Sequence, residues 1–282
     1  MGVLVFVVVA FGLAALLDVF VFLSGGLRGQ DVALVWGVVR MYTPAAAALL
    51  SGYKWYRVRR SIGLRLVAVY LLAPATVFAA LGLFVVLLTA SGNYNPDRLM
   101  GLFASLQVPL DAATALLLVS VNAYTAAITL NALFAFGEEV GWRGFLQERL
   151  EAAGLGFVKA SVAVGAVWGL WHASAIILLG YNYPDNRLAG VVLFPLFTAS
   201  LSIPHAAVKK LSSSILPAAS LHGAVNALWS TSILVTDLPI ELAGLGPLAA
   251  LSWGVVSLAV YAVMRMDVLQ RAFTAPCREA AG

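Results

Sequence analysis

The sequence predicts an all-α, polytopic membrane protein of eight helices, and three observations carry that reading. Residues of the AVILMFWYC set make up 62% of the chain. Charged residues make up 11%, against roughly 25% in ordinary soluble domains, which is too few for a water-facing surface. A membrane helix takes about 20 mostly apolar residues, and runs of that kind recur along nearly all 282 residues. A soluble helical protein would have to expose many of them to water.

The first helix, 3–26, starts directly after Met1 without a basic stretch and exceeds a signal-peptide core, so it reads as a retained span. The turn Ser24–Gly25–Gly26 ends it. The second, 32–52, gives way to the charged run from Lys54 to Arg60, and the third, 64–90, to the turn residues from Ser91 to Arg98. The fourth is 113–147 and the fifth 157–180, closed by the break from Asn182 to Arg187. The sixth to eighth are 188–207, 213–233 and 245–266. Leu99 to Pro109 is apolar, yet a span running from Leu99 to Gln147 would be far too long. Pro109 is therefore expected to open a new helix, with the stretch before it at the outer interface or dipping into the bundle. The whole chain, 1–282, reads as one transmembrane domain.

Basic residues choose the orientation. Lys54, Arg57, Arg59, Arg60 and Arg65 follow the second span, and Arg143, Arg149 and Lys159 lie between the fourth and fifth. Lys209 and Lys210 separate the sixth and seventh, and Arg265, Arg271 and Arg278 follow the last. Only Arg28, Arg98 and Arg187 fall on the other side. Eight spans with both termini in the cytoplasm satisfy this bias, whereas seven would split the clusters. The sparse loops suit a prokaryotic cell membrane. The single cysteine, Cys277, excludes an intramolecular disulfide, and the five residues after it exclude a prenylation signal. The lipid bilayer is an expected partner and nucleic acid is not.

Ionisable groups inside spans are costly and usually face a bundle interior or a water-filled cavity. Asp18 and Arg40 are the first, expected to pair with each other or with backbone. A denser set follows: Glu138, Glu139, Arg143, His172, His205, His222 and Asn226, with Trp168, Trp171 and Trp229 nearby. Depth brings part of the set together. At 1.5 Å per residue, Glu138 lies about 16 Å from the charged cluster at Gln147–Glu151, His222 about 14 Å beyond Ser213, and His172 about 22 Å beyond Phe157. His222 and Asn226 share a helix face four residues apart, as do Trp168 with His172 and Glu139 with Arg143. Adjacent Glu138 and Glu139 point about 100° apart, so one could face a cavity while the other pairs with Arg143. His205, beside Pro204 and Lys209, is expected to be structural at a cytoplasmic helix end.

Two carboxylates, two histidines and an asparagine suggest hydrolysis. A buried carboxylate could take a proton from water attacking an amide carbonyl, with His222 and Asn226 donating to the oxyanion. Alternatively, Glu138, His172 and His222 could hold a divalent metal such as zinc, although no His-Glu-x-x-His is present. Each residue alone could also be an interhelical hydrogen-bonder.

At these positions the sequence resembles the CPBP family of intramembrane proteases, which includes CAAX prenyl endopeptidases and bacteriocin self-immunity proteins. Glu138, Glu139 and Arg143 match its Glu-Glu-x-x-x-Arg, and Trp168 with His172 matches Phe-x-x-x-His with tryptophan for phenylalanine. His222 and Asn226 match His-x-x-x-Asn. The likeness covers 115–235, the expected catalytic core. It implies an eight-helix CAAX-protease-like bundle with a cavity open to the cytoplasm. It further implies Glu138 as catalytic acid or base, assisted by Glu139 and fixed by Arg143, with His172, His222 and Asn226 completing the site. Trp168 would shape the substrate cavity. The implied substrate is a membrane-associated peptide, in some members near a prenylated C-terminus. Cofactor use stays open between a metal-free glutamate mechanism, which we favour, and zinc. The alternatives are a catalytically inactive peptide-binding or immunity protein and a transporter, the latter lacking the expected inverted repeat.

Overall fold

The structure is a computed structural model that describes residues 2–54, 62–105 and 111–266. Arg57, Arg59, Arg60, Arg271, Arg278, Cys277 and Pro109 lie outside the described residues.

All regular structure among the described residues is helical. Helix α1 (Gly2–Leu23) crosses unbroken, while the next two expected spans are each divided. α2 (Gln30–Met41) passes through Tyr42 into α3 (Thr43–Leu50), where Pro44 occupies the first turn. α4 (Leu64–Leu72) and α5 (Ala75–Ala90) meet at Pro74, whose missing N–H ends one helical ladder and starts the next. A short α6 (Asp97–Ser105) accounts for part of the awkward apolar stretch.

The expected fourth span is a composite. It contains α7 (Ala112–Ile128), α8 (Leu130–Glu139), a π-helical turn (Val140–Leu146) and α9 (Gln147–Ala152). Its two halves, Thr114–Ile128 and Leu130–Ala152, bend by 46° at Thr129. Two threonines leading into the bend, Thr125 and Thr129, donate their hydroxyls to carbonyls four residues back, a local competitor of the helical ladder. α10 (Phe157–Trp171) and α11 (Ala173–Leu179) follow, then α12 (Arg187–Ser200), α13 (Ser202–Ser212), α14 (Leu216–Leu228), a 3₁₀ turn (Trp229–Leu234) and α15 (Pro247–Arg265).

Among the described residues, six helical stretches are long and apolar enough to cross a bilayer, and the bent pair raises this to seven. The expected seventh, 213–233, falls short as a continuous α-helix because α14 has only 13 residues before its 3₁₀ extension. The outward side chains suit lipid: Leu64 is 86% exposed and Leu188 79%, while Phe6, Phe84, Trp142 and Trp253 are buried. A surface of that kind turned to water would forfeit the burial that stabilises a soluble fold. The chain is thus an integral membrane protein by construction.

Close helix approach at small residues positions the site. A Cβ on Gly169 would lie 2.3 Å from the Pro195 Cα, so α10 and α12 can touch this tightly only with glycine there. The Thr198 hydroxyl fastens the same crossing by donating to the Gly165 carbonyl at 2.8 Å. On α14, a Cβ on Gly223 would meet the Ala127 carbonyl at 2.5 Å and the Ala132 nitrogen at 2.7 Å. The bend in the fourth span therefore wraps around α14, carrying Glu138 toward His222. At one end of the bundle Lys209 pairs with Glu148 at 2.9 Å, joining α13 to α9. Arg98 pairs with Asp237 at 3.3 Å and joins the start of α6 to the connection before α15.

Candidate active site

Glu138 and Glu139 end α8, where the backbone opens into the π-helical turn. Such turns insert an extra residue into the helix and are frequent at functional sites. Both carboxylates are buried, but their surroundings differ. Glu138 Oε2 accepts from Trp168 Nε1 at 2.6 Å and from Trp142 Nε1 at 3.2 Å. Neither bond engages Oε1, and Glu138 lines a cavity of about 340 Å³. Glu139 lies behind that wall. Its Oε1 accepts from Arg143 Nη1 at 2.8 Å and from His222 Nδ1 at 2.9 Å.

Arg143 is wholly buried and heavily engaged. Its Nη2 donates to the Ser202 hydroxyl at 3.0 Å, and its guanidinium carbon sits 4.6 Å from the Trp168 ring centre. Trp168 thus touches both halves of the acidic pair: its N–H holds Glu138 and its face carries the cation that holds Glu139. Changing Trp168 to Phe keeps the face and removes the N–H. We expect a loss of about 1–3 kcal/mol, measured as a lowered unfolding midpoint in detergent. An unchanged midpoint would show that Trp142 alone suffices.

The histidines are fixed through their Nδ1 atoms. His172 Nδ1 lies 3.0 Å from the Trp168 carbonyl, and its ring stacks against Tyr181 at 6.0 Å between centres. Carbonyls and carboxylates only accept, so Nδ1 carries the hydrogen in both His172 and His222. In the neutral form such a ring is left with Nε2 as an acceptor. His172, His222 and Asn226 all line the cavity with Glu138, whereas Glu139 and Arg143 do not. The remaining wall is largely aromatic, with Trp36, Trp168, Trp171, Tyr181, Phe194, Phe197 and Trp229.

His205 departs from its expected place at a helix end. It is fully buried within α13, with its ring 6.0 Å from His222 and 5.8 Å from Trp168. Its Nδ1 is 2.9 Å from the Leu201 carbonyl, so it packs behind the site and does not line the cavity. The physical reason is α13 itself, which extends to Ser212 and leaves His205 over a full turn from its end.

Arg40 is the main residue of the site that the sequence reading passes over. Its Nε donates to Asp18 Oδ1 at 3.0 Å and Oδ2 at 3.2 Å, and its Nη2 to the Trp171 carbonyl at 2.8 Å. Asp18 also accepts from Trp36 Nε1 at 2.8 Å and from the Ser174 hydroxyl at 2.6 Å. Arg40 therefore pairs with both its anticipated partners, a carboxylate and a backbone group, while also lining the cavity. Trp142 was legible as the residue four after Glu138. Arg40 carried only the signal of a charge in an apolar span.

Among the described residues, no group of three or more His, Cys, Asp or Glu side chains is arranged to hold a metal ion. Glu138, His172 and His222 line one cavity, but they are not among any such group.

The fold and this polar pocket define an all-helical membrane protein with a buried carboxylate–histidine site. Residues 112–228 of the 282-residue chain match the family described as Type II CAAX prenyl endopeptidase Rce1-like. No curated protein matches the chain.

Proposed function

We propose that the protein is an intramembrane endopeptidase that hydrolyses a peptide bond with a water activated by Glu138. The carrying observation is the Glu138 carboxylate, fixed at Oε2 by two indole N–H groups and placed in the wall of a cavity shared with His172, His222 and Asn226. Oε1 takes a proton from water as the water oxygen bonds to the scissile carbonyl carbon. The tetrahedral intermediate then breaks its C–N bond, and Glu138 returns the proton to the departing amine nitrogen. His172 orients the attacking water through its Nε2 acceptor. The Asn226 amide faces the carbonyl oxygen, and His222 can donate there when protonated. Glu139 and Arg143 act through His222 and Trp168, which makes them positioning residues.

In this reading the chain crosses the membrane eight times. The seventh crossing is α14 with its 3₁₀ extension, and the basic connections face the cytoplasm. The substrate is a membrane-associated peptide entering from that side, in one form a prenylated C-terminal segment. The aromatic wall suits apolar residues flanking the cut.

The test is turnover by the purified, reconstituted protein of fluorogenic membrane peptides with and without a prenylated cysteine, with products identified by mass. Cleavage that persists after chelator treatment is the expected outcome. Activity abolished by chelation and restored by zinc would move the mechanism to the metal, and peptide binding without turnover would make the chain a binding protein.

A further inference from the structure

The proposed reaction leaves negative charge on a carbonyl oxygen, which calls for hydrogen-bond donors in the cavity wall. His172 and His222 spend their Nδ1 hydrogens within the protein. The hydroxyls of Thr198 and Ser230, also in the wall, are spent on backbone carbonyls. Asn226 offers an uncharged amide.

Arg40 differs from all of these. Asp18 holds its Nε edge, the Trp171 carbonyl holds Nη2, and the guanidinium carbon lies 3.8 Å from the Trp171 ring centre. Nη1 donates to no protein atom among the described residues, although the side chain is only 3% exposed and lines the cavity. It shares that cavity wall with Glu138 and His172. An ion pair made only to neutralise Asp18 would need the Nε edge alone. Here Nη1 is left without a protein partner among the described residues, on a side chain that lines the cavity and is fixed by Asp18, the Trp171 carbonyl and the Trp171 ring.

We propose that Arg40 is a further catalytic residue, supplied by α2 from outside the matched residues 112–228, whose Nη1 donates to the oxyanion of the tetrahedral intermediate. This rests on the peptidase reading above. As the water oxygen bonds to carbon, the carbonyl π pair moves onto oxygen and the proton moves to Glu138. The carboxylate loses the charge that the oxyanion gains, so the cavity's net charge is unchanged and negative charge passes from Glu138 to the substrate oxygen. A preorganised donor at that oxygen typically contributes about 10²–10³ in kcat.

Arg40→Gln and Arg40→Lys should be compared with wild type on a cleaved membrane peptide, together with binding of a peptide phosphonate that mimics the anionic intermediate. For Arg40→Gln we expect kcat to fall about 100-fold or more with KM within threefold, and phosphonate affinity to fall by a similar factor. Arg40→Lys should retain an intermediate kcat. Equal losses in phosphonate and ordinary peptide binding would mark a structural role and overturn the proposal, as would kcat within threefold of wild type. Should Arg40→Gln fail to fold, wild type decides: a phosphonate held no more tightly than the uncharged peptide overturns it. Absence of any turnover by wild type would instead sink the peptidase reading itself.

Discussion

Glu138→Gln is expected to lower peptide turnover by about 10²–10⁴-fold while leaving the protein folded. Glutamine keeps a carbonyl oxygen that can accept from Trp168 and Trp142, so the indole contacts at 2.6 and 3.2 Å have a substitute. It cannot take the water's proton or return it to the amine. The fall should reach toward the upper end of that range because one carboxylate serves both transfers. The check is kcat beside an unfolding curve in the same detergent. Near-wild-type kcat with an intact fold would remove Glu138 from the chemistry and point to another base. The corresponding Glu139→Gln change should act chiefly through His222, since Glu139 lies behind the cavity wall.

The second large effect is on stability. Arg143→Met should cost about 3–5 kcal/mol, because it leaves the Glu139 carboxylate buried without its main countercharge. Ser202 and the Trp168 face lose a partner in the same step. The double change Arg143→Met with Glu139→Leu removes both charges and should recover most of that loss, since a buried ion pair is often no more stable than apolar groups of similar volume. Turnover should stay low in the double variant because His222 has lost its anchor. Unfolding midpoints of the two single variants and the double variant form the necessary cycle. If the double variant is as unstable as Arg143→Met, the loss comes from packing around Trp168 and not from an unpaired charge.

What the sequence revealed about the site is mostly what lies within one helical turn. Glu139 with Arg143, Trp168 with His172 and His222 with Asn226 are all four apart, and that spacing alone puts them on shared faces. The depth argument also brought acid and imidazoles to one level, since rise per residue is fixed by backbone geometry. Hydrophobic runs located the helices because bilayer thickness sets their length. The breaks at Tyr42 and Thr129 were harder to see. They depend on contacts made across the fold, such as α14 seating Gly223 against the bend. His205 was misplaced for a related reason: nothing local shows that α13 continues beyond it. Arg40 belonged to the site only once α10 had brought Trp171 against it, across 131 residues of sequence.

The Asp18–Arg40 pair also bears on how the chain is made. Asp18 is on α1 and Arg40 on α2, so the two can neutralise each other as soon as the first helical hairpin has been synthesised. Either charge alone near the middle of a membrane helix costs about 2.5–3.5 kcal/mol on insertion. Entering together, the helices present an ion pair whose final partners, the Trp171 carbonyl and Ser174 hydroxyl, are still untranslated. The early hairpin therefore waits in the membrane with donor and acceptor capacity unfilled, and it is the arrival of α10 and α11 that completes it.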